Sequence, residues 1–121
     1  MFFLVSLGIF TIVFIDFLRL PKKGKSIKKI IKNGMEQGRV VALDVRSQQE
    51  FKNNKSIGAE NISIQSLSSR FLELDHDNII VLFCESGGRA NIAKTFLRER
   101  GFNKVINIES WQNWNSIVES N

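Results

Sequence analysis

The stretch that decides the fold is Ile79 to Gly101, IIVLFCESGGRANIAKTFLRERG. Its first five residues, Ile79 to Phe83, are consecutive, apolar and partly β-branched, the pattern of a strand buried on both faces. The only cysteine of the chain, Cys84, follows at once. Ser86, Gly87, Gly88 and Arg89 then make a tight loop. Beyond it Ile92, Ala93, Phe96 and Leu97 recur at helical spacing, and Gly101 sits where a helix is commonly stopped. A strand, a glycine-bearing loop and a helix in this order place Cys84 at the strand's carboxyl end. The backbone N–H groups of a helix N-terminus surround that position and favour an anion. A thiol held there, with the cation of Arg89 close by, is expected to ionise readily, the ordinary recipe for a reactive cysteine.

Upstream, Val40 to Val45 (VVALDV) is a second buried-strand pattern. It runs into Asp44-Val45-Arg46, and Ser47 with Glu50 forms a capping-box signature for a short helix. Ser26 is read as the cap of a helix with Ile27, Ile30, Ile31 and Met35 on one face and Lys28, Lys29 and Lys32 on the other. Gly58 is assigned to a close backbone approach. Ser66 is expected to open a helix that buries Leu67, Phe71, Leu72 and Leu74. Lys104 to Ile108 reads as a last strand, and Trp111 and Trp114 lie in a terminal helix that closes the core. Strands alternate with helices, so the expected class is α/β with a largely parallel central sheet flanked by helices. Ligands of such sheets bind beyond the carboxyl ends of the strands, where Cys84 and Asp44 to Arg46 both fall.

The first eighteen residues, MFFLVSLGIFTIVFIDFL, carry no charge before Asp16 and have the length of a short bilayer-spanning helix. Residues 1–20 are therefore assigned to a transmembrane anchor, 21–25 to a basic linker and 26–121 to the folded domain. Of the seventeen Lys and Arg, seven lie between Arg19 and Lys32 with no acid among them. The remaining ten face eleven Asp and Glu, so the net charge of +5 belongs to the flank of the anchor and not to the domain. The positive-inside rule puts the domain on the cytoplasmic side as part of a single-pass membrane protein, with the basic run near anionic lipid. Without aromatic interleaving or a binding motif, that run does not indicate a nucleic-acid partner. A lone cysteine excludes an internal disulfide and fits a reducing compartment. A lone histidine, His76, read as a solvated loop residue, excludes a multi-histidine metal site, and no metal or cofactor is expected.

With these residues in hand the sequence resembles a rhodanese domain over about residues 26 to 116. Asp44, Arg46, Glu50 and Phe51 fall on the family's D-x-R-x-x-x-E-F pattern, and Gly58, Ala59, Asn61 and Ile62 on its G-A-x-N-I segment. Cys84, Ser86, Gly87, Arg89, Ala93, Leu97, Gly101 and Phe102 fall on the catalytic loop and following helix. Four residues separate Cys84 from Arg89, whereas the loop of tyrosine and dual-specificity phosphatases has five, so the resemblance favours sulfur over phosphate. It implies a sulfurtransferase in which Cys84 is the nucleophile and carries sulfane sulfur as a persulfide. Glu85, Ser86, Gly87, Gly88 and Arg89 then form the anion-binding loop, and Asp44 and Arg46 support it structurally. The implied partners are a small donor such as thiosulfate and a thiophilic acceptor: cyanide, a cellular thiol or a protein. A non-catalytic module that tethers a partner at the membrane, and a thiol redox sensor, are the alternative readings. The chain departs from the family pattern in three places. Asn54-Lys55-Ser56-Ile57 replaces Gly-His-Ile-Pro, Glu109-Ser110 stands in place of a late Gly-Gly, and Glu85 adds an acid next to the cysteine, expected to oppose the thiolate.

Overall fold

The computed structural model describes residues 25–120. The anchor assigned to 1–20 and nearly all of the linker lie outside these residues; among the described residues no helix is long and apolar enough to cross a membrane. In chain order the elements are α1 (Lys25–Glu36), β1 (Val40–Asp44), α2 (Gln48–Asn53), β2 (Glu60–Asn61) and α3 (Ile64–Arg70). A 3₁₀ turn (Phe71–Glu73), β3 (Ile79–Cys84), α4 (Gly88–Glu99), β4 (Val105–Ser110) and α5 (Trp111–Glu119) complete the domain.

The four strands make one sheet in the order β2-β1-β3-β4, and every pairing is parallel. The period-two alternation of a strand sends its side chains to opposite faces. Leu43, Ile80, Leu82 and Cys84 face one core with Leu67, Ala90, Ala93, Leu97 and Phe102, so α3 and α4 cover that side. Ala42, Val81 and Phe83 face the other with Ile31, Ile108 and Trp114, which is covered by α1 and α5. Both faces of β1 and β3 are thus buried, which is why their sequences are continuous apolar runs. From β1 the chain moves outward to β2, crosses back to β3, and then moves the other way to β4. The carboxyl ends of β1 and β3 therefore flank the point where the winding reverses, the usual position of a ligand crevice in such sheets.

Several local expectations change. The helix after β2 begins at Ile64 behind Ser63 and not at Ser66. Leu67 and Leu74 are buried as expected, but Leu72 is 81% exposed because it lies in the 3₁₀ turn, out of phase with the helical stripe. The same phase error affects Ile92, which is exposed while Ala90 takes its place in the core, and Ile30 and Met35, which leave Ile31 as the buried residue of α1. That helix already includes Lys25, one residue before the expected Ser26 cap. Gly58 has open space around it; it is needed for its φ of +65° in the turn and not for a close approach. His76 is in an exposed loop as expected, yet its ring stacks on Phe102 at 3.8 Å and meets the Arg100 carbonyl. Trp114 is buried and stacked on Phe83, whereas Trp111 is only partly buried and lies at the rim of the site described next.

Candidate active site

Cys84 ends β3 and is 1% exposed, at the floor of a cup formed by the turn into α4. Gly87 precedes that helix with φ +103°, a conformation that non-glycine residues avoid, and this turns its N–H back onto the sulfur at a Gly87 N to Cys84 Sγ distance of 3.1 Å. Burial by itself pushes the thiol up. The N–H groups of Ala90, Gly87, Ser86 and Arg89 outweigh it and hold Cys84 below the ordinary thiol pKa. The anion-binding loop expected over residues 85 to 89 thus reaches one residue further, to Ala90.

The guanidinium of Arg89 lies near enough to the Cys84 sulfur for their charges to interact, while its hydrogen bonds go elsewhere. It forms a two-pronged pair with Glu50, Nη1 to Oε1 at 2.6 Å and Nη2 to Oε2 at 2.9 Å. That contact, helped by the backbone and side chain of Ser47, pulls the Glu50 carboxyl down to about 2. Glu50 also closes the capping box, accepting from the Ser47 N–H at 3.2 Å while the Ser47 hydroxyl accepts from the Glu50 N–H. One side chain therefore starts α2 and fixes the loop arginine. The thiolate is stabilised chiefly by neutral backbone dipoles, with the cation of Arg89 shared between it and Glu50.

Asp44 and Arg46, expected as a structural pair, form a fully buried unit under the loop. Arg46 Nη2 meets Asp44 Oδ2 at 2.7 Å, Nε meets both carboxylate oxygens at 3.0 Å, and the Arg46 N–H adds a fourth contact at 3.0 Å. The remaining donors of Arg46 go to the carbonyls of Asn54 and Glu50. Ser56 Oγ donates to Asp44 Oδ2 at 2.9 Å, so the serine of the Asn54-Lys55-Ser56-Ile57 segment completes the buried carboxylate. Where the family pattern has a proline turn, this segment is held instead from α5. Asn115 accepts from the Ile57 N–H at 2.8 Å, and Trp114 Nε1 donates to the Ile57 carbonyl at 2.7 Å. Asn61 donates to the carbonyls of both Asp44 and Arg46, which ties β2 to the same unit.

The other rim of the cup is built from β4 and α5. Glu85 is exposed, and its carboxylate accepts from Trp111 Nε1 at 3.0 Å. The Trp111 ring in turn lies over the Arg46 guanidinium, 5.1 Å from its centroid. β4 carries a register shift opposite Leu82 and Cys84, and there Glu109 adopts φ +74°. This is the position at which the family pattern places a glycine, and the backbone has kept the glycine-like turn. Asn107 holds the bulge by accepting from the Glu109 N–H at 2.8 Å and donating to the Gly87 carbonyl at 3.3 Å. Ser56, Asn61, Asn107 and Trp111 were not named as site residues from the sequence. Their partners are 12 to 26 positions away, beyond any helical or strand period. Among the described residues no group of His, Cys, Asp and Glu could hold a metal ion.

Residues 28–117 match the model of the rhodanese-like domain. The chain belongs to that family. The tRNA sulfurtransferase of Histophilus somni is 39% identical over 69 residues, a match covering 54% of this chain and 14% of that protein. The putative sulfur carrier protein YrkF of Bacillus subtilis is 33% identical over 66 residues, covering 54% of this chain and 36% of the relative. Both matches therefore take in well under two thirds of the relative's length. Among solved structures, the rhodanese-related protein of Thermoplasma volcanium superposes with a TM-score of 0.59 at 25% identity, over 68% of this chain and 82% of that one.

Proposed function

We propose that this rhodanese-like domain is a sulfurtransferase that carries sulfane sulfur on Cys84. The observation that carries the reading is the Gly87 N–H aimed at Cys84 Sγ at 3.1 Å, one of four backbone donors arranged for an anionic sulfur. The thiolate attacks the outer sulfur of a donor such as thiosulfate. The new S–S bond forms as the donor's S–S bond breaks, the electron pair leaves with sulfite, and an anionic Cys84 persulfide remains in the ring of N–H groups. A thiophilic acceptor, cyanide or a thiol, then takes the outer sulfur and returns the thiolate. With no second cysteine in the sequence, the acceptor is external, a small molecule or a protein. The names of the relatives, a tRNA sulfurtransferase and a putative sulfur carrier protein, support sulfur transfer in general. Intact-mass spectrometry after incubation with excess thiosulfate should show one added sulfur on the chain and none on Cys84→Ser; equal turnover by the two proteins would refute the reading.

The proposal includes single-pass membrane attachment through residues 1–20, with the domain on the cytoplasmic side. The apolar run before Asp16 and the seven cations from Arg19 to Lys32 support it. Release of the full chain from membranes by alkaline carbonate would count against it, as would protease cleavage of the domain from the outer side of intact cells. A second reading, a non-catalytic module that binds a partner, is favoured by the engagement of Arg89 with Glu50 and by the acid beside the cysteine. It predicts a partner complex of unchanged affinity in Cys84→Ser together with no sulfur uptake by the unaltered chain.

A further inference from the structure

The charges around the cup do not suit a dianionic donor. Arg46 is paired with Asp44 and Arg89 with Glu50, so neither arginine offers an uncommitted positive charge. Glu109 packs against the loop, its Cβ and Cγ 3.3 Å from where a side chain on Gly87 would begin, and it makes no salt bridge among the described residues. Glu85 has no salt-bridge partner among the described residues. It is also held in place: its carboxylate accepts from the Trp111 indole, and that ring is itself seated on Arg46. The thiol is held down chiefly by uncharged N–H groups, and the one cation coupled to it, Arg89, is shared with Glu50, so the carboxylate of Glu85 has no counter-charge of its own.

We propose that this loop selects sulfur donors whose non-reacting end is neutral or cationic and disfavours dianions such as thiosulfate, with Glu85 as the specificity-determining residue. The inference rests on the sulfur-transfer reading above. For an organic persulfide the step is the same exchange. The Cys84 thiolate attacks the terminal sulfur, the donor's S–S bond breaks, and the electron pair leaves on the donor thiolate. That thiolate is protonated from water, the persulfide stays on Cys84, and there is no net oxidation. A carboxylate at an exposed rim, partly screened by water, alters the encounter of a charged donor by roughly threefold to tenfold.

The test uses the full chain in neutral detergent with two persulfides of similar size, those of cysteamine and of mercaptopropionate, whose remote ends are an ammonium and a carboxylate. Initial rates of sulfur addition to Cys84 are read by intact mass. At low salt the cysteamine persulfide should react roughly tenfold faster, and the preference should shrink as salt screens the rim. Glu85→Gln, a change at an exposed position, should cut the preference about threefold. Glu50→Gln, which releases Arg89, should raise the rate with the mercaptopropionate persulfide. Equal rates for the two donors, or a preference that Glu85→Gln leaves untouched, would overturn the selectivity while the persulfide chemistry stands. Absence of added sulfur from both donors would overturn the sulfur-transfer reading and this one with it.

Discussion

Two arginine–carboxylate pairs flank the same loop, and one seven-residue segment, Asp44 to Glu50, supplies three of their four members. Their closest contacts are nearly equal, 2.7 Å for Arg46 to Asp44 and 2.6 Å for Arg89 to Glu50. What separates them is water. The side chains of Arg46 and Asp44 are 1% and 0% exposed, those of Arg89 and Glu50 34% and 37%. A buried pair is held only if every donor and lone pair finds a partner, and Ser56, Asn54 and the Glu50 carbonyl supply those partners here. A pair at the rim can exchange its contacts for water at small cost. Distance therefore says little about what each pair does: the inner one sets the shape of the loop's floor, and the outer one holds the loop arginine at its mouth.

The largest expected effect tests the inner pair. Arg46→Ala leaves the Asp44 carboxylate buried without its counter-ion and removes the donors to the Asn54 and Glu50 carbonyls. Losing one member of a buried pair costs about 3–5 kcal/mol. In a domain of this size that should lower the melting temperature by about 10 °C or more. Thermal unfolding followed by circular dichroism measures it. A loss no greater than that caused by Glu50→Gln would abolish the contrast between the pairs.

Next in size is the backbone between them. Gly87→Ala places a Cβ on a residue with φ +103° and within 3.3 Å of Glu109, so the loop must shift and the N–H now aimed at Cys84 Sγ moves with it. The thiolate then loses a donor while the burial that opposes ionisation remains. Persulfide formation at neutral pH should slow about tenfold, the equivalent of about one pKa unit. The far-ultraviolet absorbance of the thiolate should titrate at higher pH than in the unaltered chain. An unchanged titration would mean that the donors are interchangeable and that loop geometry is not what activates the thiol.

These two positions also mark what the sequence made legible. Cys84 and Gly87 could be placed because strand, loop and helix are consecutive, and a local pattern fixes a local geometry. The buried Asp44–Arg46 pair is local as well, two residues apart on the end of a strand. Arg89 could be placed in the loop but not paired, for the opposite reason. Its partner Glu50 lies 39 residues upstream, and only the parallel pairing of β1 with β3 brings them together. The same holds for Trp111, whose indole reaches Glu85 across 26 residues and which the apolar pattern assigned to the core. The misplaced Leu72 and Ile92 show the limit of periodicity itself: a 3₁₀ turn, or a stripe narrower than assumed, moves a residue to the surface without altering the apolar count.

The outer pair should show itself in pH dependence more than in overall stability. Glu50→Gln keeps the capping box, since glutamine can accept from the Ser47 N–H, and removes only the charge given to Arg89. The expected loss at neutral pH is about 0.5–1 kcal/mol, as befits a pair open to solvent. The folded-state pKa of Glu50 is depressed from 4.5 to about 2. Its contribution is therefore fully present above about pH 4.5 and is lost as the pH falls towards 2. The difference in stability between the unaltered chain and the variant, followed by chemical denaturation from neutral to acid pH, should close over that window. A difference that stays constant would assign the loss to packing and not to the ion pair.

The smallest effect expected lies on the opposite rim, where Glu109 holds φ +74° at the bulge of β4. A left-handed residue other than glycine carries about 1–2 kcal/mol of strain. Glu109→Gly relieves that strain but gives the unfolded chain more freedom, worth about 0.4–1 kcal/mol in the other direction. The two nearly cancel, leaving a gain of up to about 1 kcal/mol and a rise of a few degrees in melting temperature. The more telling measurement is made on the same variant at the cysteine. Glu109 packs on Gly87, and Asn107 binds the Gly87 carbonyl from the same bulge. If the bulge merely buttresses the loop, the glycine variant should melt higher while the Cys84 thiolate titrates where it did before. If instead the titration moves to lower pH, the Glu109 carboxylate reaches the sulfur, and the negative charge at the mouth is shared between Glu85 and Glu109 rather than confined to Glu85.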